Sequence, residues 1–179
     1  MPDEPRISGG DSCAQHPVAG RSGRAEGYFL RGVAKFNLDD LLGADTDFSA
    51  AIVKNPVFTT AYIYRALTRT RMGNYDDDAL QDFREAIDLR PDLPDAYYSR
   101  GYTRLQNKQY EEAIEDFDKF IFQENKVADA YIGRGTAYLY LKDTVRALEN
   151  FDQAIRTNRE NPNGYYQRGT LLLQKRSMP

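Results

Sequence analysis

The sequence is poor in the residues on which covalent, redox and metal chemistry depend. Cys13 is the only cysteine and His16 the only histidine among 179 residues, and tryptophan is absent. A single thiol excludes an internal disulfide framework, and without a CxxC or a Cys/His cluster there is no structural zinc site. Cys13 and His16 stand three residues apart in a Gly/Pro/Ser-rich stretch that offers no packed scaffold, so neither can be held in the geometry that nucleophilic or imidazole catalysis demands. Neither GxxxxGK[ST] nor GxGxxG occurs, which leaves nucleotide binding without a motif. Charge of one sign is also lacking. With 28% charged residues and a formal net charge of -3, no basic field points to nucleic acid, which is therefore not an expected partner. No apolar run approaches the roughly 18 residues that span a bilayer, and the opening MPDEPRISGG has no signal-peptide core. The chain reads as soluble and unexported, with a cytoplasmic location expected. Asp76, Asp77 and Asp78 cluster, but the glycine and terminal Glu of a calcium loop are missing, and acids there suit the positive end of a helix dipole. The expectation is no catalytic residue, no cofactor and no metal: not an enzyme.

What is present is a period. All 13 tyrosines and 9 phenylalanines lie beyond residue 27, whereas residues 1–24 carry chiefly Gly, Pro, Ser, Asp and Arg, a composition that cannot repay its ordering entropy. That stretch is expected to be a disordered N-terminal tail. From residue 25 onward Tyr28, Tyr62, Tyr97, Tyr131 and Tyr165 recur at intervals of 34, 35, 34 and 34, and Gly32, Ala66, Gly101, Gly135 and Gly169 keep step. Ala44, Ala79, Ala113 and Ala147, each followed four residues later by Phe48, Phe83, Phe117 or Phe151, form a second set with four copies. Within a unit, Tyr97, Gly101 and Leu105 follow helical spacing, and Ala113 and Phe117 resume it after Asn107-Lys108-Gln109. Each unit is therefore a pair of amphipathic helices, with the one extra residue of the second unit within Asp76–Asp78. Small residues belong where antiparallel helices cross closely, and Tyr and Phe fill the space beside them. A further periodic pair sets Arg31, Arg65, Arg100, Arg134 and Arg168 against Asp47, Asp82, Asp116 and Asn150. It reads as a structural ladder of charge-assisted bonds, the alternative being solvated surface charge.

The stretch AYYSRGYTRLQNKQYEEAIEDFDKFI resembles the tetratricopeptide repeat (TPR) family. The resemblance implies an all-α, right-handed α-solenoid of antiparallel helix pairs, about four and a half repeats: 25–58, 59–93, 94–127, 128–161 and a final helix 162–176. Tyr replaces the consensus Trp throughout, Ala66 replaces Gly, and Phe120 replaces a small Ala. The closing Pro is missing from the third and fourth repeats, where Asn125 and Arg159 stand, so helix breaks there are less strongly signalled. The family also implies a concave groove lined by the first helices, at Phe29, Val33 and Phe36; Tyr64, Leu67 and Arg71; Asp95, Tyr98, Tyr102 and Leu105; Asp129, Ile132 and Tyr140; and Tyr166 and Gln167. Some members grip C-terminal carboxylates through a basic and asparagine set. Here Phe29, Val33, Tyr64, Asp95 and Ser99 stand in those places, so a peptide with apolar or basic side chains is the better fit.

The implied function is a protein-interaction scaffold holding a peptide or partner helix in the groove. A structural or regulatory segment of a larger protein, membrane-associated or enzymatic elsewhere, is the competing reading. At the C-terminal end Gln167, Gln174, Lys175 and Arg176 fit a polar cap. Leu171, Leu172 and Leu173 instead place at least one leucine on a face that a further helix, or a homodimer contact through the last helix, would cover.

Overall fold

In the computed structural model, which describes residues 18–75 and 77–177 and the side chains of 23–75 and 77–175, the chain folds into helices joined by short turns. Cys13, His16 and Asp76, with the readings attached to them, lie outside the described residues. In order the helices are α1 (Val18–Asn37), α2 (Leu41–Lys54), α3 (Thr59–Arg71), α4 (Asp77–Leu89), α5 (Pro94–Gln106), α6 (Tyr110–Gln123), α7 (Ala128–Tyr140), α8 (Thr144–Thr157) and α9 (Pro162–Ser177). Consecutive helices pair as α1–α2, α3–α4, α5–α6 and α7–α8, each pair packs on the next, and α9 closes the described stack. This is an all-α solenoid of helix hairpins. Among the described residues no helix is long and apolar enough to cross a membrane.

α1 begins at Val18, inside the 1–24 stretch that composition marked as structureless. Once a helix is nucleated, each added residue gains one backbone bond for one residue fixed, and no proline interrupts residues 18–55. Residues 1–17 are outside the described part.

The hairpin turns share one device that the sequence does not advertise. Asp39, Gly73, Lys108 and Lys142 occupy the left-handed region with φ of +65°, +85°, +61° and +62°. In each turn the following N–H bonds back to a carbonyl five residues earlier: Asp40 to Lys35, Asn74 to Arg69, Gln109 to Arg104 and Asp143 to Tyr138, all at 2.9 Å. This is the Schellman arrangement that satisfies the last carbonyls of a helix. Asp40 and Asp143 then cap α2 and α8 by accepting from the Gly43 and Arg146 N–H groups.

Between hairpins, proline proves unnecessary. α6 ends at Gln123 and α8 at Thr157, and their C-caps Glu124 (φ −130°, ψ 79°) and Asn158 (φ −143°, ψ 103°) leave the helical region much as Asn55 does before Pro56. The Tyr131 hydroxyl donates to the Asn125 carbonyl at 3.2 Å just as that of Tyr62 donates to Pro56, so a tyrosine tie fastens the loop with or without the ring.

The core is built on the crossings. Phe48, Phe83, Phe117 and Phe151 are fully buried, as are Ala44, Ala79, Ala113 and Ala147 one turn earlier. A Cβ added at Gly32 or Gly135 would come within 2.7 Å of the ring of Phe48 or Phe151, and one at Gly101 within 3.2 Å of Phe117. Phe120, in place of a small residue, is buried against Tyr98 with ring centroids 4.9 Å apart.

Two substitutions should move stability in opposite directions in chemical denaturation. Gly135→Val overpacks the Phe151 crossing and should cost about 1–3 kcal/mol. Lys142→Gly removes a side chain from a left-handed position and should gain about 0.5–1 kcal/mol, the unfolded-state entropy of glycine offsetting part of the relief.

Candidate functional site

Two surfaces carry the sequence-derived site residues: a polar ladder inside each hairpin and the wall formed by the first helices. In the ladder, Arg31 donates from Nε and Nη2 to Asp47 at 2.8 and 2.6 Å, Arg65 to Asp82 at 2.8 and 2.6 Å, and Arg100 to Asp116 at 2.9 and 2.6 Å. These are bidentate fork-to-fork bonds. The three carboxylates are at most 3% exposed, and each has a second cation: Lys35 at 2.9 Å from Asp47, Arg69 at 3.0 Å from Asp82 and Arg104 at 2.7 Å from Asp116. The fourth hairpin differs twice at once. Tyr138 stands where the second cation would be, and the buried acceptor is the neutral Asn150, which takes Arg134 Nε at 2.7 Å. With one cation fewer, the buried acceptor carries one negative charge fewer.

Each guanidinium also lies over the tyrosine three residues before it. The Arg31–Tyr28, Arg65–Tyr62, Arg100–Tyr97, Arg134–Tyr131 and Arg168–Tyr165 centres are 5.3 to 5.7 Å apart, within cation–π range. Sequence reading missed the second cations and these stacks, although Lys35, Arg69 and Arg104 keep the same 34- and 35-residue steps as the rest.

Electrostatics follow the geometry. The Arg31 hydrogen bond, opposed by burial and reinforced by Lys35, holds the Asp47 carboxyl at about 2, below its ordinary 3.8. Burial works against the charged Arg65 guanidinium, but the hydrogen bond and attraction of Asp82 outweigh it and hold its pKa above the ordinary value.

The ties between hairpins are uneven. Arg69–Asp45 (2.9 Å) and Arg71–Asp39 (3.1 Å) link the first two, and Arg134 pairs with Asp118 between the third and fourth. Between the second and third, among the described residues, no ion pair crosses. That seam is apolar, with Ile63, Phe83, Ala86, Ile87 and Ala96 in one cluster, and the Thr70 and Thr103 hydroxyls meet at 3.0 Å.

Successive first helices touch one another, α1–α3, α3–α5, α5–α7 and α7–α9, whereas among the described residues no two second helices do. The first helices therefore form the inner wall of the curve. Along it the expected groove residues divide. Tyr64 is half-buried among Phe29, Phe36 and Phe48, with centroids 5.4 to 6.0 Å away. Tyr98 and Tyr102 pack at 5.0 Å on each other and against Phe117, and Tyr102 donates to the Asp129 carbonyl at 2.8 Å. Burial raises the pKa of both phenols, so they are neutral hydrogen-bonding groups. Asp129 accepts from the Asn161 amide at 2.9 Å. Exposed on the wall are Asp95, Tyr166, Tyr140, which stacks on Tyr110, and Arg71, which lies over Phe36. The described residues contain no group of three His, Cys, Asp or Glu side chains placed to hold a metal.

The repeat is also recognised directly from the sequence. A family profile described as TPR repeat matches residues 67–108, and another described as tetratricopeptide repeat matches residues 128–161. These two stretches are tetratricopeptide repeats, and the same helix hairpin recurs before and between them. No curated protein sequence matches it significantly. Among solved structures, MamA from Desulfovibrio magneticus RS-1 superposes with a TM-score of 0.80 at 19% identity, covering 85% of each chain. PilF of Pseudomonas aeruginosa gives 0.76 at 20% identity over 88% of this TPR chain and 71% of its own. The first TPR of Spaghetti (RPAP3), bound to the HSP90 peptide SRMEEVD, gives 0.66 at 21% identity over 68% and 95%. At these identities the likeness is one of fold.

Two measurements test the TPR ladder. Asp116→Ala strands Arg100 and Arg104 half-buried without their acceptor and should cost about 3–5 kcal/mol in urea unfolding. The depressed Asp47 carboxyl contributes stability that is complete above its unfolded value of 3.8 and lost as pH falls towards about 2, so Asp47→Asn should flatten the acid limb of the stability profile between those pH values.

Proposed function

We propose that this TPR chain is a protein-interaction scaffold whose inner wall holds a peptide or partner helix with apolar and basic side chains. The observation that carries the reading is the row Arg71, Asp95, Tyr140 and Tyr166, which stays exposed beside the half-buried aromatics Phe29, Phe36, Tyr64, Tyr98 and Tyr102 of the first helices. Tyrosine gives large contact area with few rotors to freeze, and its hydroxyl suits a mixed polar and apolar ligand. The half-buried Phe29, Phe36, Tyr64, Tyr98 and Tyr102 make a firm floor, and preorganised surfaces lose less entropy on binding.

Spaghetti's first TPR domain holds SRMEEVD, a peptide ending in acidic residues. In this chain Asp95 and Asp129 stand on the wall instead, and a carboxylate ligand would meet like charge. The preferred ligand is therefore of opposite sign.

Selection of displayed peptides on the full chain should yield basic, aromatic-containing sequences. Asp95→Lys or Tyr166→Ala should weaken the selected peptides about tenfold, equivalent to about 1.4 kcal/mol, by calorimetry. Recovery of acidic C-terminal peptides, or affinities indifferent to both substitutions, overturns the reading.

A further inference from the structure

At three of the four joints where a second helix meets the next first helix, the ladder arginine uses its remaining nitrogen to reach back across the seam. Arg65, Arg134 and Arg168 direct Nη1 to Ser49, Asp118 and Asp152, each sixteen positions earlier and each the residue that follows a buried phenylalanine. At the α4–α5 seam the corresponding pair is Arg84 and Arg100. A cation stands where the other seams keep an acceptor.

Arg100 is nonetheless fixed. Its Nε and Nη2 grip Asp116, its guanidinium lies over Tyr97, and its side chain is 13% exposed. With the same fork geometry as Arg65, its Nη1 points into the seam, and among the described residues it has no partner. No described side-chain nitrogen or oxygen that is sealed from solvent lacks a hydrogen bond, so this nitrogen is open to water. Arg84 is half-buried and turned along its own helix, with Nε donating to Gln81 Oε1 at 2.8 Å, which leaves both of its Nη nitrogens without a protein acceptor.

Charge points the same way. Arg84, Arg100 and Arg104 are three cations, and among the described residues Asp116 is the one carboxylate that pairs with any of them, which leaves two positive charges at the seam. Guanidinium groups bind oxyanions through paired N–H donors. A phosphate group brings close to two negative charges and several acceptor oxygens, whereas a single carboxylate would leave one cation unmatched.

We infer that the α4–α5 seam binds a phosphate group, free or carried on a partner protein, between Arg100 Nη1 and the Nη nitrogens of Arg84. The anion takes the place that Asp118 and Asp152 hold at the later seams and supplies from outside the tie that this joint lacks. Arg100 lies two residues from both Tyr98 and Tyr102, roughly half a turn around α5 from each. The site is therefore off the inner wall and independent of any peptide held there.

The test is a titration of the full chain with inorganic phosphate at about pH 8, where the dianion prevails, at ionic strength held constant with sodium chloride. The arginine Nε–Hε resonances are followed by NMR. Those of Arg84 and Arg100 should shift together and saturate with a dissociation constant on the order of 1 mM. Arg84→Ala should weaken binding at least about tenfold. Arg84→Asp places in the seam the acceptor found at the others and should abolish it. Arg84 belongs to no buried cluster, so both variants should keep the helical circular dichroism of the parent. Capped phosphoserine binding more tightly than inorganic phosphate assigns the group to a modified partner, the reverse assigns it to a free anion, and either supports the site. The inference is overturned by shifts that do not saturate by about 30 mM, by equal affinity in Arg84→Ala, by phosphate binding that survives Arg84→Asp, or by acetate binding as tightly as phosphate.

Discussion

Where the two helices of a hairpin cross, Gly32, Ala66, Gly101 or Gly135 leaves room for a phenylalanine ring, and every other contact in the unit is set by that approach. At Gly32 and Gly135 the ring edge takes up the room a β-carbon would need, and at Gly101 it lies close to it. At this separation the arginine beside the small residue reaches the acid beside the phenylalanine with both prongs at 2.6 to 2.9 Å. A wider crossing would leave a buried carboxylate short of its partners, a costly state in low dielectric. The apolar and ionic parts of the repeat thus enforce one geometry together.

Charge inside the hairpins is matched, not merely paired. Asp47, Asp82 and Asp116 each sit between two cations, and the hairpin that replaces one cation with Tyr138 replaces the acid with Asn150. An aspartate there would have a single guanidinium, already shared with Asp118. Stacking each arginine on its tyrosine fixes the guanidinium plane before the acid arrives, so less side-chain freedom is lost on closing the pair.

The helix hairpin and its repetition were legible because close crossing forces the same residue types at a fixed interval, and periodicity survives substitutions such as Ala66 for Gly. The turns were not. Lys108 and Lys142 give no sign of a left-handed backbone, which the need to satisfy helix carbonyls imposes. The breaks after Gln123 and Thr157 do without the expected proline: at both the C-cap residue leaves the helical region, and after Gln123 the Tyr131 hydroxyl also ties the loop. On the inner wall, sequence placed Tyr102 and Tyr166 in the same class. Only the packing around each ring decides that Tyr102 is covered by Phe117 of its own hairpin while Tyr166 is open.

Among the described residues no ion pair ties the α4–α5 seam, and that has a mechanical consequence. The single ion pairs that tie the other hairpins together, Arg69–Asp45, Arg71–Asp39 and Arg134–Asp118, are directional and resist rotation of one hairpin on the next. Apolar contact is non-directional and tolerates small sliding. Twisting of the arc is therefore least resisted at this joint, which weighs most on the distance between the two ends of the inner wall.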